Sequence, residues 1–197
     1  MRPLFIVLSA PSGTGKTTLC DMLIQHYPEL CYSISCTTRQ PRGSEEEGVD
    51  YHFLLPETFE RLIAEDQFLE YAKVHGNYYG TLKDPIYEVL RERQCMLLDI
   101  DVVGASQIRE HVATLPDDNP LKMGFVDIFI NPPSLYELAE RLESRGTDSH
   151  EVIEKRLEVA KDELARAHEY MYQVTNDDLD TAFRRICDII NFKSGML

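Results

Sequence analysis

The chain has 197 residues, 43% of them hydrophobic and 27% charged, with no low-complexity tract or repeat, which describes one folded domain with inserted subregions rather than a disordered or repetitive chain. Its formal charge of −14 argues against a broad electrostatic hold on nucleic acid or an anionic membrane, so bound phosphate must be met by local basic clusters. Five cysteines without a Cys-x-x-Cys pair argue against a disulfide framework or zinc site, and no apolar run matches a membrane span or signal peptide, so a cytoplasmic protein with reduced thiols is expected.

Residues 4–8 form a continuous apolar run of the kind made by a strand buried on both faces, followed by a Gly-containing loop and a helical pattern. Residues 33–81, rich in Gly, Tyr and charge, break the pattern and show only a short helix at 57–64. They are read as an inserted substrate subdomain. Helices are predicted at 85–93 and 104–112, with a strand at 95–100 between them. Residues 114–124 read as a long loop before a third strand at 125–130. Ser134 with Glu137 makes a capping box for a helix over 134–143. A long helix is predicted over 151–171, where Ile153, Leu157, Ala160, Leu164, Ala167 and Met171 share one face, and a last helix over 179–191. Strand and helix alternate, which predicts an α/β fold with a mostly parallel central sheet.

The loop after the first strand carries Ser12-Gly13-Thr14-Gly15-Lys16-Thr17-Thr18, close to the pattern G-x-x-x-x-G-K-[ST] with Ala10 in place of the first glycine. Glycines at 13 and 15 let backbone N–H groups turn inward around phosphate oxygens, and the helix start adds its positive dipole end. Lys16 would bridge the β- and γ-phosphates of ATP, and the Thr17 hydroxyl would face Mg²⁺. Read alone, the motif leaves open whether the phosphate goes to water or to a second substrate.

A second anion site is suggested by residues 35–42, where Arg39 and Arg42 lie among hydroxyls in an otherwise acidic protein, followed by Glu45, Gly48, Asp50 and Tyr51. Two guanidinium forks can clamp one phosphate through charge-assisted bonds, and tyrosine hydroxyls can complete its shell. A solvated basic loop is the plainer alternative. Asp99 and Asp101 close an apolar strand, where ligands gather in open α/β sheets. Asp99 is the candidate metal-side carboxylate, and either acid could instead cap the turn into the next helix. Arg141, Arg145 and Arg156 are spaced to converge from two neighbouring helices; surface ion pairs with nearby Glu are the alternative for Arg141 and Arg156.

In order along the chain, the P-loop, S-x-T-T-R-x-P-R, G-x-D-Y-x-F, F-x-E, G-N-Y-Y-G-T, L-D-I-D, R-G-T and N-D-D-L resemble the guanylate kinase family over nearly the whole length. The resemblance implies a P-loop kinase fold with a core at about 1–32, 84–133 and 172–197, a GMP-binding subdomain at about 33–83 and a helical lid at about 134–171. It implies transfer of the γ-phosphate of ATP to GMP, and to dGMP, with Mg²⁺. On that resemblance Ser12, Gly13, Thr14, Gly15, Lys16, Thr17, Thr18 and Asn176 bind ATP. Arg39, Arg42, Tyr51 and Tyr79 hold the GMP phosphate, and Ser35, Glu70, Thr81 and Asp101 read guanine. Lys16, Arg39, Arg141, Arg145 and Arg156 neutralise the transferring group, and Thr17 with Asp99 serves the metal.

The chemistry of the guanine assignment stands on its own terms. Guanine's pairing edge offers N–H donors beside a carbonyl, so carboxylates at Glu70 and Asp101 can accept while hydroxyls at Ser35 and Thr81 donate. Adenine would leave both sides unpaired. No general base is needed, because a phosphate monoester is largely ionised at neutral pH. A noncatalytic guanylate-kinase-like interaction domain is disfavoured by the retained Gly13, Gly15, Lys16 and Thr17, and by a chain that starts at the P-loop strand. A GTPase is disfavoured by the lack of an [NT]-K-x-D motif, and a kinase of phosphorylated sugars by Glu70 and the Thr-Thr-Arg stretch. Val103 stands where the family usually has Gln, and no oligomeric state follows from the sequence.

Overall fold

A computed structural model describes residues 2–144, 146 and 149–195. The first apolar run forms β1 (Phe5–Ser9), buried at every position. Successive strand residues point to opposite faces, and the two faces of β1 enter two different cores. Leu4, Ile6 and Leu8 join one core with α1 (Lys16–His26) and α8 (Leu179–Ser194), while Phe5 and Val7 join the other with α3 (Lys83–Arg91) and α4 (Val102–Thr114). The sheet between them is wholly parallel, with β2 (Leu30–Tyr32), β7 (Cys95–Asp99), β1, β8 (Phe125–Asn131) and β9 (Tyr172–Thr175) in that spatial order. β1 lies centrally, and its register sets Leu8 against Asp99, so the ends of β1 and β7 reach the same rim.

The inserted segment holds more structure than the single short helix predicted for it. β3 (Cys36–Thr37), β4 (His52–Phe53), β5 (Phe68–Val74) and β6 (Asn77–Leu82) form a second, mixed sheet in the order β4-β3-β6-β5. α2 (Pro56–Ala64) covers it through Phe59, whose ring stacks on Phe68 and Tyr78 at centroid distances of 4.2 and 5.1 Å. β5 and β6 are joined by a tight turn at His75 and Gly76, both with positive φ, the geometry that matches the twist of a two-residue hairpin.

The helix predicted over 151–171 is two elements. α7 (His150–Ala165) packs Ile153 and Ala160 against Leu138 and Leu142 of α6 (Leu135–Ser144), and then the chain turns through a 3-10 segment at Ala167–Glu169 into β9. Asp127 on β8 accepts a hydrogen bond from the Met171 N–H at 2.9 Å, and Arg109 bridges Asp127 and Glu169. This anchoring, with the pairing of β9 on β8, overrides the helical period. Residues 114–124 are likewise not all loop: Asn119 caps a short α5 (Pro120–Gly124), accepting from the Leu121 N–H at 2.9 Å. Ser134 accepts from the Glu137 N–H at 3.1 Å, which is one half of the expected capping box. Among the described residues no helix is long and apolar enough to cross a membrane.

Candidate active site

The loop between β1 and α1 wraps a cavity of about 350 Å³ that includes Gly13, Gly15, Lys16 and Thr17 among its lining residues. Gly15 holds φ 93° as the residue that caps α1, and a Cβ there would stand 2.7 Å from Asn176 Nδ2. Both the left-handed backbone and the close approach therefore require glycine. Ser12 and Thr18 also line this cleft. Lys16 projects from the first residue of α1 and pairs with Asp99 Oδ2 at 2.7 Å, joining the ends of β1 and β7 across the rim.

Two residues expected to bind ATP, Thr14 and Asn176, lie outside this cleft on the flank of the loop. Thr14 is fully buried, its N–H donates to the Pro11 carbonyl at 3.2 Å, and its carbonyl accepts from Asn176 Nδ2 at 2.7 Å. Its side chain is buried, and the residue borders the flank cavity rather than this cleft. Asn176 is itself buried and braces the P-loop from behind through that bond. It also borders a separate cavity of about 310 Å³, with Gly13, Arg141 and Leu179, on the far flank of the loop.

A second cleft of about 310 Å³ opens on the other side of Lys16. Ser35, Tyr51, Glu70, Tyr79, Asp99 and Asp101 contribute to its walls, and it shares Lys16, Ile100 and Asp101 with the P-loop cleft. Glu70 and Thr81 are cross-strand partners on β5 and β6, and the Thr81 hydroxyl donates to Glu70 Oε1 at 2.7 Å. A register shift between Phe68 and Glu70 marks a bulge at the start of this pairing, a device that re-aims a side chain. Thr81 has one hydroxyl proton and gives it to Glu70, so it orients the carboxylate instead of donating to a ligand carbonyl as expected. Burial is the main cause that pushes Glu70 up to about 7, the Thr81 hydrogen bond opposing it. Gly104 on α4 makes room for this acid, since a Cβ there would lie 3.1 Å from Glu70 Oε2 and closer still to Ile100.

Asp101 lies beyond the end of β7, not on the strand with Asp99 as its spacing suggested. It caps α4, with Oδ1 accepting from the N–H groups of Val103 and Gly104 at 2.9 and 2.8 Å. One oxygen is therefore engaged in the cap, and the other is the one available to the shared rim. Val103 is exposed on the first turn of that helix.

Arg39 is buried beside the second cleft, over the ring of its wall residue Tyr51 at 5.3 Å. Its fork meets Glu45 at 2.8 and 3.0 Å, and Glu45 also accepts from the Arg42 N–H at 2.7 Å. The hydrogen bond from Arg39 holds the Glu45 carboxyl below its usual range. Tyr51 and Tyr79 meet edge to face at 6.2 Å beside this pair, and Arg42 is exposed.

The arginines of α6 and α7 flank the P-loop without meeting. Arg141 Nη2 donates to the Asn176 carbonyl at 3.0 Å on one side, and Arg156 Nη1 donates to Ser12 Oγ at 3.1 Å on the other. Between these two the expected convergence on one point is absent from this conformation, because each donates on its own flank. Arg145 lies outside the described residues. Sequence reasoning passed over Glu163, which also lines the P-loop cleft. Its signal was the spacing 156, 160, 163, which sets an acid on the α7 face that Ala160 buries.

Among known proteins, the guanylate kinase family model matches residues 1–193. A guanylate kinase of Carboxydothermus hydrogenoformans is 46% identical over 181 residues, covering 92% of this chain and 84% of that protein. One of Synechocystis sp. is 45% identical over 185 residues, covering 94% and 92%. The crystal structure of guanylate kinase from Anaplasma phagocytophilum aligns with a TM-score of 0.73 at 30% identity, over 98% of this chain and 86% of that one.

Proposed function

This chain belongs to the guanylate kinase family, and on that premise we propose how its own residues move the γ-phosphate of ATP onto GMP. The observation that carries the reading is the meeting of two clefts at Lys16: one is walled by the P-loop, and the other holds a buried carboxylate suited to guanine. A phosphoryl group passing between two anions needs donor and acceptor sites that open on each other, with a cation where they join.

In the donor cleft, backbone N–H groups around Gly13 and Gly15 and the start of α1 bind the triphosphate of ATP, and Lys16 exchanges Asp99 for phosphate oxygens. Ser12, Thr17 and Thr18 border the same path. The flank cavity beside Arg141 and Asn176 takes the adenosine end. In the acceptor cleft, Glu70 accepts from the N–H groups of guanine while Thr81 fixes its orientation, and Ser35 and the free oxygen of Asp101 complete the edge. Arg39, Arg42, Tyr51 and Tyr79 hold the GMP phosphate, the Arg39 fork exchanging Glu45 for phosphate oxygens. Residues 134–171 form a lid whose Arg141, Arg145 and Arg156 neutralise charge on the transferring group, over a core at about 1–32, 84–133 and 172–197 and an acceptor subdomain at about 33–83.

The donor set beside Lys16 is all oxygen, the Thr17 hydroxyl in the cleft and the Asp99 carboxylate at its rim, and fits a hard divalent cation carried in with the nucleotide. Mg²⁺ bound there would supply positive charge opposite the phosphates. The remaining work falls to Lys16 and the arginines, which draw two repelling anions together, and to lid closure, which excludes water. Five free cysteines accord with work in a reducing cytoplasm.

ADP release from Mg-ATP, compared with GMP, AMP, CMP and UMP as acceptors, tests the reading, and GMP is expected to be strongly preferred. Activity with AMP but not GMP would sink the guanine assignment. Lys16→Ala is expected to lower turnover by orders of magnitude; near-normal turnover in the folded variant removes Lys16 from the mechanism.

A further inference from the structure

Glu163 lies in the donor cleft, and none of the roles above uses it. It stands on α7 two turns after Arg156, on the side of the helix that turns toward the P-loop. It borders the triphosphate path with Gly13, Gly15, Lys16 and Asp101, and it also borders a neighbouring recess with Ser12, His75 and Arg156. Among the described residues its carboxylate accepts no hydrogen bond and makes no ion pair. Burial raises it to about 7, with Asp101 adding to the effect and Lys16 opposing it. Lys16 offers little relief, because its ammonium is already bonded to Asp99 at 2.7 Å.

A half-buried acid without a partner is unfavourable in the empty protein, and an apolar residue would pack at that position without the penalty. Its placement acquires a use when the nucleotide arrives. A metal-free triphosphate sets several negative charges before this carboxylate and is repelled. A triphosphate carrying a divalent cation has that much of its negative charge offset, so the repulsion falls, and the interaction turns attractive where the cation faces the carboxylate. Because Glu163 is borne by the lid helix, that sign also bears on whether the lid settles over the nucleotide.

We infer that Glu163 is a specificity-determining residue that makes the donor site select metal-complexed over metal-free nucleoside triphosphate. The inference rests on ATP occupying the P-loop cleft. It assigns Glu163 to the discrimination between two forms of the donor, and it leaves the acceptor cleft untouched.

The test is calorimetric titration of the full chain with ATP, once in excess chelator and once in excess Mg²⁺, for the parent, Glu163→Gln and Glu163→Asp. The parent should bind Mg-ATP the more tightly. The ratio of the two dissociation constants should fall roughly three- to tenfold in Glu163→Gln, chiefly because metal-free ATP binds better once the charge is gone. Glu163→Asp, which keeps the charge, should keep most of the parent's ratio. A ratio unchanged in Glu163→Gln overturns the inference, as does a parallel loss of both affinities, which would mean that Glu163 only packs the helix. Binding of GMP, titrated alongside, registers whether the variant is folded; should it not be, a ratio near unity in the parent alone overturns the inference. Failure of the parent to bind ATP in either condition would instead remove the P-loop donor reading itself.

Discussion

Replacing Glu70 by Gln should move stability and activity in opposite directions. In the empty protein, burial pushes the Glu70 carboxyl from its usual value of 4.5 up to about 7, against the Thr81 hydrogen bond and with help from Asp101. The folded protein therefore holds this proton more tightly than the unfolded chain, and stability falls as pH rises between those two values. The penalty is absent below the lower value and fully present above the upper one. At about 1.4 kcal/mol per pH unit, the interval sets an upper bound of about 3.5 kcal/mol. Glutamine keeps an oxygen that can still accept from Thr81, so the variant loses the penalty while retaining the local geometry. Urea unfolding should show Glu70→Gln more stable than the parent by about 1–3 kcal/mol at about pH 8, with the gain shrinking toward acid pH. The amide N–H₂ would meet the donors of guanine, and kcat/KM for GMP should fall by about 2–4 kcal/mol in transition-state terms, on the order of 30- to 1,000-fold. Equal stability at both pH values would refute the burial argument, and unchanged GMP kinetics would refute the recognition argument.

Two further substitutions probe the supports of the site. Gly15→Ala forces a left-handed residue to carry a Cβ against Asn176, and urea unfolding should register a loss of about 2–3 kcal/mol; in an Asn176→Ala background the added loss should shrink, and an undiminished loss would show that the clash is not its source. Asp127→Asn weakens a fully buried acceptor shared by Arg109 and the Met171 N–H and should lower stability by about 2–4 kcal/mol in the same assay, moderated by the second partner Arg109 has in Glu169.

What the sequence disclosed depended on whether a signal was local. The P-loop was legible because its chemistry and its strand-loop-helix setting lie within twenty consecutive residues. Three central strands were legible as continuous apolar runs, because burial on both faces leaves no alternation to interpret. β2, β9 and the second sheet were missed, since short strands with mixed faces owe their existence to partners distant in the chain. The β5–β6 hairpin did leave a trace, a His75-Gly76 turn between two Tyr-containing runs. Residues 166–171 kept a helical period while the chain was pulled into β9, an override invisible without Asp127 and Arg109 in three dimensions. The cap that Asp101 makes on α4 was one of the two roles its position allowed, whereas the chemical reading of Thr81 as a ligand donor failed to foresee its bond to Glu70, because a spacing rule names residue types and not what their protons already touch.

Lys16 with Asp99 and Arg39 with Glu45 fix the terms on which an anion enters. In each phosphate seat this cation is already paired before a ligand arrives, so engaging it is a substitution of one oxyanion for another rather than the filling of a positive hole. Inorganic phosphate, bringing charge and nothing else, gains little from that swap. A nucleotide gains more, since its base and sugar add contacts that the resident carboxylate never made. The two internal acids thus act as built-in competitors, holding the cations in readiness and screening out the small anions that crowd any cell.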